Sequence, residues 1–94
     1  MMSKIPVDLD KVSPEDLNKE ILRAAIVAEL DAINLYEQMA DLAENEEVRR
    51  VLLDVALEEK THVGEFQVML LRQDGQQKEE LKAGEEKVNE KLSK

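Results

Sequence analysis

Apolar residues recur every three or four positions along two long stretches of the chain, which is the spacing of one face of an α-helix. In the first stretch, from Pro14 to about Ala43, this spacing gives a stripe, here called stripe 1, of Leu22, Ala25, Glu29, Ala32, Tyr36, Met39 and Ala43, flanked by Ile26, Leu30, Ile33 and Ala40. In the second stretch, which ends near Gln73, it gives stripe 2 of Leu52, Val55, Glu59, His62, Phe66 and Met69. No window alternates as a β-strand does, so the pattern predicts an all-α fold whose two stripes are buried.

Residues with known preferences for helix ends divide the chain. Ser13 is the predicted N-cap of the first helix and Pro14 its first residue. Asn45 is the predicted N-cap of the second helix, and the short connection makes the two helices an antiparallel hairpin. Asp74-Gly75 is predicted to end the second helix. Gly64 within that helix costs about 1 kcal/mol relative to alanine, which favours a close approach of another helix there.

The 94 residues therefore predict a single domain in three parts. Residues 1–12 are predicted to be an extended lead-in, with Ile5, Val7, Leu9 and Val12 lying along a neighbouring surface. Residues 13–73 form the hairpin, and residues 74–94 form a polar tail that is a short helix or two, or flexible. Since two helices cannot enclose a core alone, we expect two hairpins to dimerise into a four-helix bundle.

Composition narrows the functional classes. A formal charge of −9 argues against nucleic acid and anionic membranes as partners and favours cations. The chain has no cysteine, which excludes disulfides, thiolate metal sites and thiol catalysis. No apolar run approaches a membrane span and no leader-like apolar segment begins the chain, so a soluble cytoplasmic protein is expected.

The candidate chemistry comes from the polar residues on the two stripes. Glu59 and His62 are three residues apart, on one face of the second helix, and Glu29 is the one carboxylate on stripe 1. The di-iron site of ferritin-like bundles takes a Glu from each of two helices and a Glu-x-x-His from each of the other two. One copy of this chain carries half of that set, so a symmetric dimer would complete a di-iron centre.

Other interpretations remain. A Glu-x-x-His arises easily by chance in a Glu-rich helix, and Glu29 alone could set the register of a metal-free helical dimer that acts as an acidic interaction module. A peroxide-consuming di-metal protein would use the same scaffold.

The segments Ala28-Glu29-Leu30-Asp31-Ala32-Ile33-Asn34-Leu35-Tyr36 and Glu58-Glu59-Lys60-Thr61-His62-Val63-Gly64-Glu65-Phe66 resemble encapsulated ferritins, the half-length ferritin-like proteins associated with encapsulin nanocompartments. The resemblance covers roughly Leu17 to Leu71. It implies that Glu29, Glu59 and His62 bind iron across a dimer interface, with Tyr36 beside the site.

The resemblance also implies a ferroxidase that oxidises Fe(II) with oxygen, a ring of dimers such as a decamer, and an encapsulin shell around it that stores the product. Calcium or other divalent cations are expected to substitute for iron in vitro. Some members of this family carry a carboxylate immediately before the first-helix ligand, as part of an iron-entry site. Ala28 occupies that position here, so an entry site would depend on Asp31 alone. The polar tail carries no obvious apolar shell-docking peptide.

Overall fold

A computed structural model describes residues 9–93. It contains a 3₁₀ turn at Leu9–Lys11 and three α-helices: α1 (Pro14–Leu42), α2 (Glu46–Gln73) and α3 (Gly75–Leu92). The part of the chain that is described contains no β-strand. The all-α prediction is therefore confirmed, and the predicted ends of α1 and α2 agree with the structure to within one residue.

The predicted caps occupy their expected positions. The Asn45 side-chain oxygen accepts a hydrogen bond of 3.0 Å from the Val48 backbone N–H, which satisfies a donor in the first turn of α2. Ser13 precedes Pro14 with extended backbone angles, but its hydroxyl donates to the Asp16 carboxylate instead of accepting from the helix. The start of α1 thus depends on Pro14 and on the acidic first turn more than on a serine cap.

A contact that the sequence did not reveal closes the hairpin turn. The last turn of α1 contains no basic residue. Arg49 of α2 reaches it instead: its Nε donates to the Ala40 carbonyl (3.1 Å) and its Nη2 to the Ala43 carbonyl (2.9 Å). Carbonyls at a helix C-terminus lack intrahelical donors and carry partial negative charge. The guanidinium supplies both the missing hydrogen-bond donors and a positive charge.

The buried contact between α1 and α2 runs beside the predicted stripes. Its most buried side chains are Ile33, Ala40, Ala56 and Leu70. Stripe 1 and stripe 2 are mostly half-buried, with Met39 and Met69 exposed. The prediction that the stripes form the buried face is therefore wrong for the single chain, because one partner helix covers only part of each wide apolar face. Each stripe lies at the rim of the hairpin, where a second chain would have to cover it.

The lead-in, the polar tail and Gly64 have separate outcomes. The lead-in is not extended throughout, since Leu9–Lys11 is a 3₁₀ turn, and Ile5 and Val7 lie outside the described residues. The helical alternative predicted for the polar tail is confirmed: within the described residues the tail is one continuous helix of 18 residues, α3, without a buried residue. Within the described chain, no atom comes within 4 Å of a Cβ built on Gly64, so no helix of the same chain approaches it closely.

The hairpin leaves much apolar surface uncovered. Large exposed side chains include Leu30, Leu42, Val48, Val51, Leu57 and Val68. Where such side chains form a contiguous patch, they mark an interaction surface. None of the helices in the described residues is both long and apolar enough to cross a membrane.

Candidate metal centre

The structure brings Glu29, Glu59 and His62 together at one rim of the hairpin. One donor atom from each of the three lies within 4.8 Å of the others. His62 Nδ1 is 3.4 Å from Glu29 Oε2 and 3.6 Å from Glu59 Oε2, so the imidazole faces both carboxylates. The i, i+3 spacing places Glu59 and His62 on one side of α2, and the antiparallel pairing places Glu29 of α1 opposite them.

The cluster is partly shielded from water and open on one side. The Glu29 and Glu59 side chains are 21% and 18% exposed, whereas His62 is 44% exposed. Removing a carboxylate from water is costly unless a compensating charge is near. Among residues 9–93, the one cationic partner of either carboxylate is the His62 ring, and only when it is protonated. Even then the three side chains keep a net negative charge, which favours a bound cation.

The donor set fits iron or manganese. Carboxylates and imidazole suit these metals, whereas a thiolate would favour zinc or an iron–sulfur cluster. Three donors from one chain are also fewer than a di-iron carboxylate site uses, which agrees with a centre completed by a second copy. That these residues bind metal stays a prediction.

A salt bridge lies one residue from the cluster. Lys60 Nζ is 3.0 Å from Glu37 Oε2 and so connects α2 to α1 next to Glu59. Both side chains are about half exposed, so the pair contributes at most about 1 kcal/mol. Sequence reasoning missed it, although the two charges fall on facing helix positions once the register of the hairpin is known.

The remaining predicted residues are not part of the three-residue group. Tyr36 is half-buried and lies two turns beyond Glu29, about 10 Å along α1. Its hydroxyl makes no hydrogen bond within the described part of the chain. Asp31 is half-buried and does have an interaction partner. The predicted roles of Tyr36 beside the site and of Asp31 in iron entry therefore stay predictions.

Comparison with known proteins identifies the family of the chain that carries this cluster. The rubrerythrin family profile matches residues 20–93, which contain all three residues of the cluster. The chain belongs to the rubrerythrin family.

Two relatives of this rubrerythrin-family chain are associated with encapsulins by name. The chain is 58% identical over 84 residues to a ferritin-like-encapsulin shell fusion protein of Pyrococcus furiosus. It is 38% identical over 77 residues to an encapsulin nanocompartment cargo protein, EncC, of Myxococcus xanthus. The alignments cover 89% and 82% of this chain but 24% and 58% of the two relatives, so the chain spans only part of their length.

A solved structure agrees with the fold. The crystal structure of the encapsulated ferritin domain from Pyrococcus furiosus superposes with a TM-score of 0.82 at 55% identity. The superposition covers 96% of this chain and 94% of that domain. The predicted similarity to encapsulated ferritins is therefore confirmed, and the helical hairpin with its third helix is the fold of that domain.

Proposed function

We propose that this protein is a ferroxidase, which oxidises Fe(II) to Fe(III) with dioxygen at a di-iron centre that two copies of the chain form together. The observation that carries the proposal is the group of Glu29, Glu59 and His62, whose donor atoms lie within 4.8 Å of one another. Each Fe(II) that is oxidised gives up one electron, and dioxygen takes the electrons up. We also propose that residues 1–94 act as one ferritin-like domain.

The second copy is required by the number of donors. A two-fold axis beside the cluster would combine two Glu29 carboxylates with two Glu59-x-x-His62 pairs, which is the full ligand set of a ferritin-like di-iron site. The two stripes lie at the same rim and are only half-covered within one chain. Dimerisation there would bury the stripes and complete the ligand set in one step.

The residues of the cluster have separate roles in this proposal. Glu59, Glu29 and His62 of each copy would hold the iron, with the Glu59 carboxylate as the shared ligand and Glu29 and His62 as the terminal ligands. The His62 Nδ1, which faces both carboxylates, can bind a metal only when it carries no hydrogen. Tyr36 would lie beside the site and hold no metal.

The partner proposed for the product is an encapsulin shell. The two relatives are named as a shell fusion and as a nanocompartment cargo protein. We therefore propose that the dimers assemble further into a ring such as a decamer, and that the ring works in the cytoplasm inside an encapsulin nanocompartment. Calcium or other divalent cations should occupy the same carboxylates in vitro, because oxygen ligands suit them.

Iron binding and oxidation in matched variants test the proposal. Purified protein should bind about two Fe(II) per dimer, the number that the di-iron ligand set holds, and oxidise them in air. Glu29→Ala and His62→Ala should lose this activity equally, because each substitution removes two ligands from a symmetric site. Glu58→Ala is the control, since Glu58 is an exposed acid next to Glu59. If Glu29→Ala keeps most of the activity, the shared site is wrong.

Native mass with and without Fe(II) tests the shared site separately. Carboxylates of two copies repel each other across the interface until cations neutralise them, so metal and assembly should be linked. Fe(II) or Ca²⁺ should raise the native mass of the parent protein but not that of the Glu29→Ala variant. An unchanged mass in the parent would place the metal away from the assembly interface.

The rubrerythrin match favours one second candidate, a di-metal protein that consumes peroxide. The same three residues would hold the metal, and the difference lies in which oxidant accepts electrons from Fe(II). Reaction of Fe(II)-loaded protein with oxygen and with peroxide, each alone, separates the candidates. A rate with oxygen that matches or exceeds that with peroxide supports the ferroxidase, and a reaction with peroxide only supports the second candidate.

A further inference from the structure

The connection between α2 and α3 is a single residue. Asp74 lies between Gln73 and Gly75 with φ −137° and ψ 88°, outside the helical region. It therefore separates the C-terminus of α2 from the N-terminus of α3. Within the described residues, α3 packs against no helix other than the adjacent end of α2, and none of its residues is buried. The direction of an 18-residue helix therefore depends on the backbone of one residue and on whatever holds that residue in place.

Both oxygens of the Asp74 carboxylate are engaged. Oδ1 accepts a hydrogen bond of 3.0 Å from the Gln77 backbone N–H, which caps α3, and Oδ2 accepts one of 2.8 Å from Arg23 Nη2 on α1. Asp74 as a whole residue is 8% exposed, and it is the one buried charged residue among those described. One carboxylate thus connects the end of α2 with both α1 and α3.

The electrostatics agree with an ionised Asp74 in this position. The backbone hydrogen bond from Gln77, followed by the hydrogen bond from Arg23 and the charge of Lys19, lowers the pKa of the Asp74 carboxyl below its usual value. Burial acts in the opposite direction but is outweighed. A shielded carboxylate without its cationic partner destabilises the protein. The ion pair therefore favours the conformation in which Asp74 Oδ2 accepts from Arg23 Nη2.

We propose that the Arg23–Asp74 ion pair fixes the direction of α3 relative to the α1–α2 hairpin. The pair spans 51 residues of sequence and is the one polar contact described between α1 and the α2–α3 junction. At 1.5 Å per residue, α3 is about 27 Å long, so a rotation of about 30° at Asp74 moves its far end by about 14 Å. Without the pair, the Asp74 backbone torsions alone would determine where the exposed Leu81, Val88 and Leu92 of α3 point.

Distances between spin labels measure this direction. The chain has no cysteine, so labels can be attached at Asn34→Cys on α1 and Asn89→Cys on α3, both of which are exposed. Labelled protein is mixed with an excess of unlabelled protein and kept free of metal, so that only distances within one chain are recorded. The parent should give one narrow distance distribution.

Two variants remove the pair without removing the helix cap. Arg23→Ala leaves the Asp74 cap untouched, and Asp74→Asn removes the charge but keeps an oxygen for the Gln77 N–H. In both variants, the distribution of distances between the two labels should shift or broaden by about 10 Å or more, because α3 is long enough for a small rotation to move its far end that much. Glu37→Gln is the matched control, because it breaks the Lys60–Glu37 bridge between α1 and α2 without touching α3, and should leave the distribution narrow.

The helical circular-dichroism signal should be unchanged in all three variants. Distributions as narrow as the parent's in both Arg23→Ala and Asp74→Asn would overturn the proposal, since the backbone would then suffice. Loss of a helical signal equivalent to α3 would overturn it too, because the pair would then maintain the folding of α3 and not its direction. The experiment uses no iron, so its outcome is independent of the proposed ferroxidase activity.

Discussion

The arrangement of charge around His62 favours a bound cation. Most of the chain's 22 acidic residues lie on exposed helix faces, where water screens them. Glu29 and Glu59 are instead mostly shielded, and in the described chain they share one imidazole as their cationic partner. Two carboxylates and at most one positive charge leave an excess of negative charge in a region of reduced dielectric. A divalent cation neutralises that excess more completely than one proton can.

Tyr36→Phe separates packing from a role in oxidation. The Tyr36 hydroxyl has no hydrogen-bond partner in residues 9–93, so its removal should change stability by no more than about 0.5 kcal/mol. If Tyr36 lies beside the di-iron centre, the variant should bind the same amount of iron and oxidise it up to about 10-fold more slowly, as changes around metal ligands do. Stopped-flow absorbance after addition of Fe(II) measures the rate, and an unchanged rate would make Tyr36 a packing residue only.

Polar contacts join the two helices at both ends of the hairpin. Arg49 joins α2 to the last carbonyls of α1, and Arg23 joins α1 to the end of α2 through Asp74. Between them the buried core is narrow, with two alanines among its four most buried residues. These contacts add to the narrow core, and the Lys60–Glu37 bridge joins the same two helices next to Glu59.

Arg49→Ala should weaken the hairpin itself. The substitution leaves the Ala40 and Ala43 carbonyls without the guanidinium, and the Arg49 side chain is partly exposed, so the expected loss of stability is about 1–2 kcal/mol. Thermal unfolding followed by circular dichroism measures it as a lower Tm. Arg50→Ala is the control, because Arg50 is exposed on the same helix and makes no ion pair or hydrogen bond within the described chain. An equal Tm in the two variants would show that the turn needs no cap from α2.

Sequence reasoning succeeded where one helix carries the information. The ends of α1 and α2 follow from Pro14, Asn45 and Asp74, and the meeting of Glu29 with Glu59 and His62 follows from helical periodicity and antiparallel pairing. It failed where a contact joins segments distant in sequence, as Arg23–Asp74 does. It also failed to show that Ile33, at the flank of stripe 1, is more buried in the single chain than stripe 1 itself. Periodicity shows that a helix has a wide apolar face, but not which part of that face the first partner covers.

At the scale of the whole molecule, the single chain leaves much of its apolar surface exposed. Its extents of 46 × 46 × 20 Å reflect a flat hairpin with α3 directed away from it, and apolar side chains are exposed on both long helices. A chain of this size buries only a modest share of its surface. In the proposed dimer, association would cover these apolar side chains and complete the ligand set.

Gly64→Ala tests whether a helix of another copy approaches α2 at this point. Within the described residues, a Cβ at Gly64 or at Gly84 meets open space, so either alanine substitution should stabilise the helix that carries it by about 1 kcal/mol. Gly84→Ala in α3 is thus the matched control. If another helix lies against Gly64, only Gly64→Ala should weaken assembly, seen as a lower native mass at a given concentration. Equal assembly of the two variants would make Gly64 an ordinary surface position.

Oxidation and storage of iron should be separable in this protein. Ferric oxide precipitates unless a closed surface surrounds it, and the proposed open ring of dimers offers no enclosed volume. The protein alone, given excess Fe(II) in air, should therefore oxidise the iron and then aggregate. Produced together with an encapsulin shell, it should yield soluble iron-loaded particles, and the Glu29→Ala variant in the same shell should yield particles with far less iron. Iron and protein assays of the soluble fraction measure the difference. If the protein without a shell keeps a large ferric mineral in solution, it forms a cage of its own, and the proposed dependence on a shell is wrong.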